Sequence, residues 1–146
     1  MPGYIPWKNV DLRLQSERML WVSTVLPNGR PHAMPCRYWW DGRNVFFVAD
    51  KKSQKAKNLA YQSSAVLHLD DGEHVVMMTG QAEIVTDRDQ RNAINAVYGE
   101  KYMDAFTGTL ASVLNPDDLL FRVRIESATA WMNGNSATRS DWQFAD

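Results

Sequence analysis

From Trp21 to Gly80 the chain alternates strand-like runs with hairpin signals, which directs it toward an antiparallel sheet. Trp21–Leu26 is β-rich and closes at Pro27-Asn28-Gly29; Arg30–Trp40 closes at Asp41-Gly42; Asn44–Ala49 is the next run. Pro31 and Pro35 fall inside the second run. A proline donates nothing to a ladder, so this strand is expected at an edge, at a bulge, or both. Ala65–Leu69 and Glu73–Val85 follow, joined by Asp70-Asp71-Gly72. Near the C-terminus Leu119, Phe121, Val123 and Ile125 alternate with mostly charged neighbours, the pattern of a half-exposed strand running on to Trp131.

Helical signals are short. Asp11–Arg18 carries a ragged apolar face of Leu12, Leu14 and Met19. Ser53–Gln62 opens on a good N-cap residue. Thr86 and Asp89 form a capping-box pattern before Ile94, Val97 and Tyr98, with Gly99 at the expected C-terminal stop. Tyr102–Leu114 reads as a further short helix stopped by Asn115-Pro116, and Asn133–Ser140 as a polar loop before Trp142 and Phe144. About six hairpin-connected strands with short helices between them predict a mainly β fold, an antiparallel closed or split barrel. A doubly wound sheet would need long helices after nearly every strand, and they are missing.

The 146 residues, 45% of them hydrophobic, suit a single domain spanning 1–146. A formal charge of −1 gives no footprint for nucleic acid. No run is apolar enough to span a bilayer, and one cysteine, Cys36, fits a reducing compartment, so the expected setting is cytoplasmic with no membrane partner. Basic density is local, at Lys51, Lys52, Lys55 and Lys57. Lys55 and Lys57 stand at the start of the Ser53 helix, where unpaired N–H groups and the helix dipole already favour an anion. A phosphate-bearing cofactor lying against a small barrel is the reading that follows.

The succession WVSTVLPNGRPHAMPCRYWWDGRNVFFV, SQKAKNL and VVMMTGQAEIV resembles the split β-barrel flavin and deazaflavin family, which includes the pyridoxamine-5′-phosphate-oxidase-like proteins. The likeness is strong over Leu20–Val85 and looser to Phe144. It rests on a strand ending at Thr24, the hairpin Gly29–His32, Pro35, the motif Ser53–Leu59 with Asn58, and Gly80. It implies a homodimer with a cofactor, coenzyme F-420 or FMN, in each of two interface grooves. By this resemblance Ser53, Lys55 and Lys57 hold the phosphate. The strand Met34, Pro35, Cys36, Arg37 and Tyr38 passes along the ring edge, and Met78, Thr79 and Gly80 of the other subunit close the opposite side. His32 stands at the start of that strand, and Trp142 falls in a terminal W-x-F segment that suits a lid over the ring.

The implied activity is hydride transfer between the cofactor and a small conjugated acceptor, with no side chain strictly catalytic. Arg37, Tyr38 and His32 are the candidates for stabilising developing charge. A non-catalytic flavin, deazaflavin or haem carrier is the alternative, with His32 the suggestive histidine. His32, His68 and His74 lack metal-site spacing, and Asp70-Asp71-Gly72 is explained by a turn, so no metal is expected. Cys36 is expected as a small strand residue under the cofactor rather than a nucleophile. Of Met77 and Met78, and of Trp39 and Trp40, one member each faces inward by strand alternation.

Overall fold

A computed structural model describes residues 5–103, 115 and 117–145. Its order is α1 (Trp7–Ser16), β1 (Leu20–Val25), β2 (Pro31–Cys36), β3 (Trp39–Trp40), β4 (Asn44–Asp50), α2 (Gln54–Tyr61), β5 (Ser64–Leu69), β6 (Val75–Ile84), α3 (Arg88–Lys101), β7 (Asp118–Met132) and β8 (Asn135–Gln143). The strands form one eight-stranded sheet in the order β2-β1-β5-β6-β7-β4-β3, with β8 added on β7, and every pairing is antiparallel. The sheet curls around its core into a half-barrel. β2 and β4 are not bonded to each other, and α2 packs against β1 and β4 beside that split.

The hairpins follow their turn residues. Gly29 and Gly42 take φ of 86° and 99°. Asn28 Oδ1 accepts from Arg30 N, and Asp41 Oδ1 accepts from Arg43 N and Asn44 N. Asp71 Oδ1 likewise accepts from Glu73 N and His74 N, which holds its carboxyl below the usual range and starts β6 at Val75. The core gathers Leu20, Val22, Phe47, Leu67, Met78 and Ile125 from five strands, all at most 1% exposed. Inward-facing residues on β1 and β5 alternate with exposed or half-exposed ones, as a sheet with one packed face requires.

Several expectations need correction. Helix α1 starts at Trp7, behind Pro6, and buries Val10 and Leu14; Leu12 and Met19 are exposed, so the anticipated face was rotated. The Arg30–Trp40 run is broken at Arg37-Tyr38. There the Tyr38 N–H donates to Tyr102 Oη, that hydroxyl lies 2.8 Å from Tyr38 O, and Tyr38 Oη donates to Leu14 O at 2.6 Å, so the backbone leaves the ladder. Helix α3 is capped by Asp87, which accepts from Gln90 N, rather than by Thr86. Gly99 lies buried inside α3, which runs on to Lys101. Asn133–Ser140 is mostly strand β8, turned by Asn133-Gly134 alone with φ of 56° and 65°, the pair a two-residue hairpin favours. The helix expected over Tyr102–Leu114 falls, beyond Met103, outside the described residues.

Helix α2 is tied to the sheet by Asn58. Its amide is 0% exposed, donates to Thr24 Oγ1 at 3.0 Å and accepts from Gln54 Nε2 at 2.7 Å. Thr24 is itself buried, so truncating Asn58 orphans a hydroxyl as well as opening a void. Asn58→Ala is expected to cost about 2 kcal/mol in urea unfolding, whereas a surface Lys57→Ala in the same helix stays within about 0.5 kcal/mol.

Candidate cofactor site

The split between β2 and β4 continues into a cleft of about 370 Å³ whose walls include His32, Met34 and Pro35 from β2, and Ser53, Gln54 and Lys55 from the start of α2. Val48, Ala49 and Asp50 at the end of β4 complete it. Sequence reasoning did not single out these three or Gln54. The adjacency of β4 to the motif helix was the signal for them.

The chemistry of this cleft is built from its backbone upward. Ser53 has extended dihedrals and accepts from Ala56 N at 3.2 Å, while Lys57 N donates to Ser53 O. Gln54 and Lys55 occupy the first two helical positions, where an N–H has no acceptor within its own helix. With Ser53 Oγ accepting from the helix, its proton remains available for a ligand oxygen. Lys55 adds a full charge. Asp50 is the opposing feature, and its Oδ1 is occupied by Lys52 N at 2.7 Å.

Lys55 and Lys57 do not act together. Residues two apart on a helix point to different faces, and only Lys55 lines the cleft; Lys57 is exposed outside it. The Lys55 ammonium reaches the face of Phe47, 4.9 Å from the ring centroid, and lies beside the Cys36 thiol. Burial pushes that thiol above its ordinary range, partly opposed by Lys55. A thiol held protonated is a packing residue rather than a nucleophile.

His32 stands on the β2 wall of the cleft. Its Nδ1 is shielded from water and has no hydrogen-bond partner among the described residues. A buried polar atom left this way costs about 1–3 kcal/mol. His74 and His68 are accounted for locally: His74 Nδ1 accepts from Asn133 N, and His68 stacks on Trp21 with its Nδ1 2.8 Å from Leu69 O. Among the described residues no group of three His, Cys, Asp or Glu is placed to hold a metal ion.

The remaining expected residues separate. Thr24, Thr79 and Gly80 line a second cleft of about 300 Å³, across the face of β1, β5 and β6. Met78 is 1% exposed and its side chain belongs to the core; Met77 is the outward member of the pair. Tyr38 is 0% exposed, and burial beside Tyr102 pushes its phenol upward, so its hydroxyl is a structural donor unavailable to a ligand. The Arg37 guanidinium sits 5.1 Å over the Tyr102 ring. Trp142 packs edge-on against Trp7 at 5.1 Å and lines neither cleft. Trp40 is the inward tryptophan, its Nε1 donating to Asp11 Oδ1, and Trp39 packs on Phe46.

A half-barrel sheet with a capped helix flanking its split defines the split-barrel class of fold. The chain belongs to the pyridoxamine 5′-phosphate oxidase family, whose sequence model matches residues 7–132. No curated protein sequence matches it. Solved structures share the fold at low identity. A conserved hypothetical protein of Mycobacterium tuberculosis is 20% identical with a TM-score of 0.76, over 100% of this chain and 96% of the other. An F-420 reductase is 22% identical with a TM-score of 0.63, over 88% and 97%. The haem storage protein of Vibrio cholerae is 17% identical with a TM-score of 0.70, over 88% and 97%. No helix among the described residues is long and apolar enough to cross a membrane.

Proposed function

We propose that the protein is an oxidoreductase that holds coenzyme F-420, or FMN in its place, by the phosphate, and passes a hydride to or from a small conjugated acceptor. The observation that carries this reading is the convergence of Ser53, the first helical N–H groups and Lys55 on one cleft, with His32 on its wall. The N–H groups of Gln54 and Lys55 bind phosphate oxygens, the Ser53 hydroxyl donates a further bond, and the Lys55 ammonium offsets the charge. When bound, the ring supplies the hydride chemistry. His32 supplies a fixed polar group on the β2 wall, and the β2 backbone orients whatever lies along it. Lys57, Tyr38 and the Met78 and Trp142 side chains have no part in this single-chain cleft.

A homodimer belongs to the same proposal. β2 is a sheet edge with no buried residue, and Met34 on it is 49% exposed. Edges of this kind invite a covering partner. A second copy would bring the Thr24, Thr79 and Gly80 cleft toward the first copy's β2, as the two-groove arrangement requires. The lone half-buried cysteine supports a cytoplasmic setting.

The second reading, a haem or flavin carrier without turnover, is favoured by the unpartnered Nδ1 of His32, since an imidazole nitrogen with no proton partner is a potential iron ligand. Parallel titrations with F-420, FMN and haemin, following tryptophan quenching, separate the two. Tight F-420 or FMN binding with weak haemin binding is the expected result. Haemin binding lost in His32→Ala, with neither F-420 nor FMN bound, would replace the oxidoreductase by the carrier.

A further inference from the structure

Three separate segments meet at Tyr102, just past the C-terminal end of α3. Its hydroxyl accepts from Tyr38 N at 2.9 Å and lies 2.7 Å from Arg18 O and 2.8 Å from Tyr38 O, both carbonyl acceptors for its single proton. Tyr38 in turn donates to Leu14 O of α1. The end of α1, the β2–β3 break and the end of α3 are thus fastened through two buried phenols. Lys101 lies in this junction, its Nζ 3.7 Å from the Tyr38 ring centroid and 5.4 Å from that of Tyr102. That nitrogen is shielded from water and has no hydrogen-bond partner among the described residues. An ammonium has three donors to satisfy, and ring faces meet only part of that need.

The surrounding charges do not compensate. Arg18, whose guanidinium is 4.9 Å over the Tyr102 ring, adds a like charge, and Arg37 stands at 5.1 Å over the same ring. Glu17 attracts the amine but pairs with Arg13 at 3.7 Å. Asp11, Asp41 and Glu100 line the adjoining cleft between α1 and α3; Asp11 accepts from Trp40 Nε1, and Asp41 caps its own turn.

We propose that Lys101 is a proton-operated latch: its ammonium loosens the junction of α1, the β2–β3 break and α3, and its neutral amine closes it. Burial, then Arg18, pull the Lys101 amine down to about 8 from the ordinary 10.5, with Glu17 opposing. The closed junction therefore holds the proton less tightly than an opened chain. Below pH 8 the amine is charged in both and the penalty is complete. As pH rises from 8 toward 10.5 the closed form sheds its proton first, so closure is increasingly favoured. The latch works at the edge of the physiological range, on the segment that carries Arg37 and Tyr38.

The side-chain 15N resonance of Lys101 in the intact protein reads the proton directly, and urea unfolding of wild type beside Lys101→Met reads its consequence. A titration midpoint near 8 is expected. Lys101→Met should be the more stable protein at pH 7, with its advantage in the unfolding constant shrinking by more than about tenfold between pH 7 and 9.5. A midpoint in the ordinary lysine range, or an advantage that does not change with pH, overturns the latch. If Lys101→Met does not fold, the wild-type midpoint decides alone.

Discussion

Lys55→Ala is expected to bind F-420 or FMN at least tenfold more weakly than the wild type, while Lys57→Ala changes affinity by less than about threefold. A charge-assisted hydrogen bond contributes about 1.5–3 kcal/mol, and 1.4 kcal/mol is a factor of ten in affinity. Both lysines belong to the same motif and both precede the first helical turn's end, yet only Lys55 faces the cleft. The variant remains folded on this account, because the ammonium packs at the split rather than within the sheet, and its Phe47 contact is a minor one. Equilibrium titration of the two single variants, with urea unfolding as a control for folding, checks the prediction. Equal losses in both would return the phosphate to a shared, solvent-facing lysine pair, and no loss in either would remove it from α2.

Gly80→Ala is expected to be the most damaging conservative change in the sheet, costing about 3 kcal/mol or more in urea unfolding. A methyl group there would collide with the carbonyl oxygen of Arg124, and would stand 2.9 Å from Val123 Cγ1 and 3.0 Å from the Arg124 carbonyl carbon. A side chain can rotate away from such a clash, but a ladder carbonyl cannot without breaking the β6–β7 register. That register already shifts between Thr79 and Gly80, where the strand needs extra room. Just before the shift Thr79 pairs with Ser127, their hydroxyl oxygens 2.6 Å apart. Wild-type stability in the alanine variant would mean that the bulge relaxes freely, and that Gly80 is present for the second cleft rather than for the fold.

Much of this architecture was legible because turn chemistry is local. Asn28-Gly29, Asp41-Gly42 and Asp70-Asp71-Gly72 mark their hairpins through positive φ or side-chain acceptors that need only neighbouring residues. Pro31 and Pro35 placed β2 at an edge by the same kind of argument. The Asn133-Gly134 turn carried an equally good signal, but the polar run after it concealed β8, whose nine residues include a single buried one, Ser140. The break at Tyr38 had no local signal. It depends on Leu14 and Tyr102, 24 and 64 residues away, and only the folded chain reveals it.

The site divided along similar lines. Ser53 as N-cap and Lys55 as cation were readable because a helix start and its charges sit within a few residues of one another. Helical angle alone could have separated Lys55 from Lys57. Tyr38 and Met78 were drawn toward the cofactor by the family resemblance of their strands, but tertiary hydrogen bonding and core packing claim their side chains. Lys101 drew no notice because one lysine near the end of an amphipathic helix reads as a solvated or dipole-complementing residue. Its burial against Tyr38 is a property of the junction, not of α3.

The cofactor phosphate is expected against the N-terminus of α2. Amide 1H–15N spectra recorded while F-420, and separately FMN, is added to the wild-type protein test this directly. The account predicts that the N–H resonances of Gln54 and Lys55 shift most and saturate with the bound cofactor, with His32 following. Saturable binding that leaves both amides unmoved, with the shifts gathered at another face of the sheet, would contradict it.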